Sequence, residues 1–193
     1  NQYVDAANGD DRAGENDCYT ASAPCRTPSN AVSHATAQGA ILLAAGTYPL
    51  ANSSDIAVIK LERDMVLSGG WNSDFTGQTG RSTLNSGTNK YGLWVEGKAR
   101  VFVDRLDFSG NQVGVNVSDG KVDINASNLV QNNTGASVQE FGNLTITNSA
   151  ITDNKQGVYN AGVLSLTNDN LSNNICNPRN LSGCQGNTGL HNS

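Results

Sequence analysis

Apolar residues recur in three columns through the second half of the chain, at a spacing of 20 to 22 residues. One column holds Val101, Val122, Leu144 and Leu164. Two residues later comes Val103, Ile124, Ile146 and Leu166, and a third column holds Phe108, Leu129, Ile151 and Leu171. Between the first two columns stands a mixed one: Phe102, Asp123, Thr145 and Ser165. Apolar, free, apolar is the alternation of a strand with one face inward. A second short strand, led by glycine, recurs as Gly92-Leu93-Trp94-Val95, Gly114-Val115-Asn116-Val117, Gly135-Ala136-Ser137-Val138 and Gly157-Val158-Tyr159. Segments 90–111, 112–133, 134–155 and 156–175 are therefore four copies of one unit, and a regular period in this range means a solenoid. Three short strands per turn and no helical stretch predict an all-β fold, a right-handed parallel β-helix. A leucine-rich horseshoe would need its own leucine spacing and a helix per repeat.

Asn111, Asn132, Asn154 and Asn174 each follow the third-column residue by three positions. Stacked at a turn, their amides are expected to bond up and down the column as an asparagine ladder, and Asn tolerates the left-handed backbone of a tight corner. At roughly 4.8 Å per turn, seven or eight turns would make a rod about 35 Å long.

The first half is less regular. Pro28-Ser29-Asn30, then Ala31-Val32, Ala35 and Gly39, predict a short helix that caps the N-terminal end of the coil, where bare core would otherwise meet water. Residues 40–48 read as the first buried strand, 56–68 as one or two more, and 69–90 mostly as loop with Thr83-Leu84 as a brief strand. The whole chain, 1–193, is read as one domain: a disulfide-pinned cap over 1–39, irregular first turns over 40–89, and regular turns over 90–193 with the last incomplete.

Composition sharpens this picture. Asn, Gly, Ser and Thr make up 79 of the 193 residues, while only 15% are charged and the net charge is −5. Acidity argues against nucleic acid or an anionic membrane as partner, and no apolar run reaches the roughly 18 residues of a membrane span. The single methionine is Met65 and the chain starts at Asn1, so a processed segment is expected, its signal peptide removed. Cys18 and Cys25, and Cys176 and Cys184, are expected to close two short disulfide loops, which implies an oxidising, extracellular compartment. Zinc is the rival reading, but neither pair has the spacing of common zinc sites.

Tyr3-Val4-Asp5-Ala6, Gly9-Asp10, Asn16-Asp17-Cys18, Pro24-Cys25-Arg26-Thr27, a helix with Ala31 and Ala35, and Ala45-Gly46-Thr47-Tyr48 follow one another in that order. This series resembles the N-terminal region of secreted bacterial right-handed β-helix proteins of the pectate-lyase-like superfold. Gly69-Gly70-Trp71-Asn72, Asp74-Phe75 and Thr83-Leu84 resemble the following segment of polymorphic-outer-membrane-protein-like surface proteins. The resemblance implies the fold and secretion. It says little of activity, because the superfold hosts lyases, hydrolases, adhesins and structural proteins alike.

Enzymes on this superfold need clustered acids with a base. The nearest set here is Asp104, Asp107 and Asp123 with Arg105 or Lys121, at alternating positions that point to different faces, so these read as surface charges. Asp153 and Asp169 read as turn caps. His34 and His191 lie far apart. The acidic loop Asp10-Asp11, Glu15 and Asp17 offers hard ligands for Ca²⁺, but a solvated loop is the simpler reading. No catalytic set, metal or cofactor is expected. Thr145-x-Thr147 over Ser165-x-Thr167 makes a small hydroxyl face of the kind seen on ice-binding solenoids. Trp94, Phe102 and Tyr159 are candidates to stack on sugar rings. Asn-x-Ser/Thr sequons stand at Asn52, Asn116, Asn125, Asn132, Asn143, Asn170 and Asn180.

Gly189-Leu190-His191-Asn192 matches Gly157-Val158-Tyr159-Asn160, so a new turn opens there. The expectation is continuation in a longer chain, or end-to-end stacking of subunits, with the strand around Tyr3-Val4 available for addition to a neighbour. The reading is thus a non-enzymatic extracellular rod, adhesin-like or filament-forming, with surface glycans as possible ligands. A polysaccharide lyase or hydrolase, or a carbohydrate-binding module, is the alternative.

Overall fold

A computed structural model describes residues 1–12, 17–87, 89–175 and 190–192, the last three by backbone alone. It is a right-handed parallel β-helix of about six turns with one short helix. The first sheet has seven strands: Gln2–Val4, Gly39–Ala44, Met65–Trp71, Arg100–Asp104, Lys121–Asn125, Asn143–Thr147 and Val163–Thr167. The second runs Ala57–Leu61, Tyr91–Val95, Val113–Val117, Thr134–Val138, Gln156–Asn160 and Leu190–Asn192. The third runs Gly46–Tyr48, Ser82–Leu84, Leu106–Ser109, Asn128–Val130, Ala150–Thr152 and Asn170–Ser172.

Every pairing between these strands is parallel, and the register keeps like residues over like. Val101, Val122, Leu144 and Leu164 are stacked, as are Val103, Ile124, Ile146 and Leu166. Phe108, Leu129, Ile151 and Leu171 form the third apolar row. All but the last-turn leucines are buried, and Leu164, Leu166 and Leu171 pack partly exposed against the same core. Leu190, His191 and Asn192 pair with Val158, Tyr159 and Asn160, so a further turn opens where the repeat places it. The turn count is lower than the expected seven or eight because most of the first 38 residues build the cap and the 72–81 segment loops out of the stack.

The helix spans Pro28–His34, with Thr27 as N-cap accepting from Asn30 N–H and Pro28 in its first turn. Its buried residues are Pro28 and Ala31. The first strand of the stack is Gln2–Val4, not the 40–48 segment, which divides at Ala45 into two strands on different sheets. Gln2, Tyr3 and Val4 pair with Ile41, Leu42 and Leu43. Its other edge is also taken: Tyr3 N–H donates to Cys18 O (2.8 Å), while Cys25 N–H donates to Tyr3 O (2.9 Å). Tyr3-Val4 is therefore satisfied within its own chain rather than free for a neighbour. The Tyr3 ring also meets Phe75 edge-on at 5.0 Å, which ties the tip of the 72–81 loop to the cap.

Candidate functional site

The polar chemistry of this molecule is concentrated at its corners. Asn111, Asn132, Asn154 and Asn174 are all buried where the third sheet turns into the second. Oδ1 of each upper residue accepts the backbone N–H of the one below: Asn111 to Asn132 at 3.0 Å, Asn132 to Asn154 at 2.9 Å, and Asn154 to Asn174 at 3.1 Å. The side-chain Nδ2 groups of Asn111, Asn132, Asn154 and Asn174 donate to the carbonyls of Leu84, Phe108, Leu129 and Ile151. The left-handed backbone does not fall on these asparagines. It falls one residue earlier, at Gly110, Gln131, Asp153 and Asn173. The ladder needs amides for bonding, and the preceding residue takes the turn.

A second ladder, not legible as a motif, occupies the corner between the first and third sheets. Leu106 N–H donates to Ser127 Oγ, Ser127 N–H to Ser149 Oγ (each 3.1 Å), and Ser149 N–H to Asp169 Oδ1 (2.8 Å). Asp169 also accepts Thr167 N–H. It is thus a turn cap that also ties two turns together, and burial pushes its carboxyl up from the ordinary range. Outside this corner runs a chain of exposed amides. Asn168 donates to Asn148 (2.6 Å), Asn148 to Asn125 (3.1 Å), and Asn125 to Asp104 (2.8 Å).

The acids on the outer strand faces are engaged singly. Asp104 accepts from Asn125 and faces Arg105 at 3.6 Å. Asp107 accepts from Asn128 (2.8 Å) and Arg81 (3.3 Å), and burial holds its carboxyl above the ordinary range. Asp123 pairs with Lys121 at 3.1 Å. Asp104 and Asp123 stand on the first sheet and Asp107 on the third. Among the described residues no group of three or more His, Cys, Asp or Glu comes together as a metal site.

The described acids of the N-terminal loop, partly or fully exposed, are each engaged in hydrogen bonds of the cap. Asp11 accepts from Arg26 N–H, Thr27 N–H, Thr27 Oγ1 and Asn30 Nδ2, which fastens the loop to the helix start. Asp10 pairs with Arg12, whose hydrogen bond holds the Asp10 carboxyl below its ordinary range. Asp17 accepts from Tyr19 N–H. Glu15 lies outside the described residues. Cys18 and Cys25 are joined as a disulfide with Cα atoms 5.1 Å apart. Cys176, Cys184 and Asn180 lie outside the described residues. His34 ends the helix, its carbonyl accepting from Tyr19 Oη; the His191 side chain is not described.

On the first sheet, Thr145 and Thr147 sit in register with Ser165 and Thr167, and Asp123 and Asn125 continue the rows. Phe102 is 44% exposed. Trp94 is half-buried against Tyr91 at 4.8 Å and donates to Ser118 Oγ. Phe141, which the repeat did not mark, is 76% exposed. The sequon residues Asn116 and Asn132 are buried, so the folded rod offers neither to a glycosylating enzyme. No helix among the described residues is long and apolar enough to cross a membrane. Comparison with protein-family models, with curated proteins and with solved structures finds no match for this chain.

Proposed function

We propose that this chain is a non-enzymatic extracellular rod, adhesin-like in build, that presents its faces at a cell surface. The observation that carries this reading is where the polar side chains are used. Asn and Ser at two corners tie turn to turn, and Asp104, Asp107 and Asp123 are each held by a neighbouring amide or base. An acid serving as a catalytic base must be free to reach a substrate proton. Extracellular placement is supported by the Cys18–Cys25 disulfide, since such bonds persist in oxidising compartments. It is supported too by the resemblance of the N-terminal segments to secreted bacterial β-helix surface proteins.

The single rod is favoured over a head-to-tail filament. Open-ended stacking by strand pairing needs a free edge at both ends. At the N-terminal end the edge of Gln2–Val4 is occupied by Cys18 and Cys25, and the capping helix packs on the same end. Negative-stain electron microscopy, with assay of unsaturated sugar release from polygalacturonate, tests the reading. The expected result is short single rods and no released sugar. Long filaments would replace the rod with a stacked subunit. Sugar release lost in Asp104→Asn or Asp123→Asn would replace it with an enzyme of the lyase or hydrolase kind.

A further inference from the structure

Outside the asparagine ladder lies a groove of about 410 Å³. It is built by the same corner of three successive turns, at 110–112, 131–133 and 153–155, so it runs along the rod axis. The volume is within the range of small-ligand sites, about 300–1,000 Å³. Its floor is rigid: the amides of Asn111 and Asn132 are spent on the ladder. Its walls carry Gln112, Gln131, Asn133, Asp153 and Lys155.

We propose that this groove binds a neutral oligosaccharide. Among the described residues, the Gln112, Gln131 and Asn133 side chains make no hydrogen bond, although two successive turns bring them to one concave surface. A carboxamide offers two donors and an acceptor, and a sugar hydroxyl is both donor and acceptor, so neighbouring amides can each engage one hydroxyl or a vicinal pair. Among the described residues that line it, one carboxylate, Asp153, and one ammonium, Lys155, cancel, which leaves no net charge to draw a uronate or a phosphate. Among the described residues no aliphatic or aromatic side chain lines the groove, so they offer nothing to recognise an apolar peptide anchor. Recognition by hydrogen bonds alone, in a groove open to water, makes for weak binding that gains strength from many rods on one surface.

The proposal deepens the surface-rod reading, on which the presence of a glycan partner rests. The test uses the full chain and the neutral hexaoses of glucose (β- and α-linked) and of N-acetylglucosamine, with hexagalacturonate as the acidic probe. The expected result is that at least one neutral hexaose shifts the side-chain amide NMR signals of Gln112, Gln131 and Asn133. Binding should weaken tenfold or more in the Gln112→Ala/Asn133→Ala double variant, with its melting temperature unchanged. Shifts absent with all neutral hexaoses at millimolar concentration, binding that survives the double variant, or tighter binding of hexagalacturonate would each overturn the proposal. Cleavage of a bound hexaose would overturn the non-enzymatic reading and leave the groove standing. Failure to bind by intact single rods would remove the groove alone.

Discussion

Asn132 and Asn154 share one oxygen: Asn154 Oδ1 accepts both the backbone N–H of Asn132 (2.9 Å) and its side-chain Nδ2 (3.1 Å). Asn132 Oδ1 repeats the arrangement for Asn111 below. Each ladder residue therefore holds its neighbour's backbone as well as its side chain. Asn132→Ala leaves the buried Asn111 N–H without its acceptor and Phe108 O without its amide donor. At about 1–3 kcal/mol per orphaned buried group, the loss should be about 3 kcal/mol or more. Asn132→Asp should cost more still, because a carboxylate oxygen would face Phe108 O and Asn154 Oδ1. Asn148→Ala breaks the exposed amide chain and should cost no more than about 1 kcal/mol, since water replaces the lost partners. Urea denaturation of the three variants checks the order; an Asn148 loss equal to that of Asn132 would sink it.

Beside the ladder, Gly92, Gly114 and Gly135 pack with no room for a side chain. A Cβ on Gly135 would lie 2.5 Å from Gly157 O and 3.1 Å from Asn154 Nδ2. This is why glycine is the second residue of the strands Tyr91–Val95, Val113–Val117 and Thr134–Val138: the corner brings successive backbones too close for alanine. Gly135→Ala should destabilise by about 1–3 kcal/mol through overpacking. Gly46→Ala meets open space and should change stability by less than about 0.5 kcal/mol. Thermal unfolding of the two variants side by side is the check, and equal midpoints would count against close backbone approach.

The disulfide holds the loop that covers the first strand. Its ring is short, with a sequence separation of 7, so reduction should cost about 2 kcal/mol. The effect should be local. Amide hydrogens of Tyr3, Asp5 and Cys25, which cross between loop and strand, should exchange faster after reduction. Those within the regular turns, from Val113 to Thr167, should keep their protection. Hydrogen exchange followed by mass spectrometry reads this directly. Uniform acceleration along the whole chain would mean that cap and rod unfold as one unit.

The repeat made the regular turns legible because two constraints coincide there: each core position must stay apolar, and each ladder position must stay an amide. The serine corner obeys a looser rule. Leu106, Ser127, Ser149 and Asp169 occupy it; Leu106 only donates its N–H there, and either a hydroxyl or a carboxylate oxygen can accept, so no single letter fills every turn. The place of Gln2–Val4 was hidden for another reason. Its partner Ile41–Leu43 is far along the chain, beyond the disulfide loop and the helix, so no local period links them. The groove residues Gln112, Gln131 and Asn133 carry no repeated letter because their side chains take no part in either ladder.

Asp107 lends itself to a test by pH. Burial raises its carboxyl above the ordinary range, and this outweighs the lowering effects of Arg81 and of Asn128. A group whose folded-state pKa is raised favours the fold below its unfolded pKa, and that contribution is lost as pH rises through the folded value. The ionised side chain is thus a cost to the native state at neutral pH. Asp107→Asn keeps an Oδ1 acceptor for Asn128 Nδ2 and removes the charge. The variant should therefore gain on the wild type as pH rises from the unfolded aspartate range toward neutrality, with the gap in melting temperature widening upward. Scanning calorimetry across that interval measures it. A gap that is constant would show that the Arg81 pairing, at 3.3 Å, balances desolvation at this position, and one that narrows with rising pH that it outweighs it.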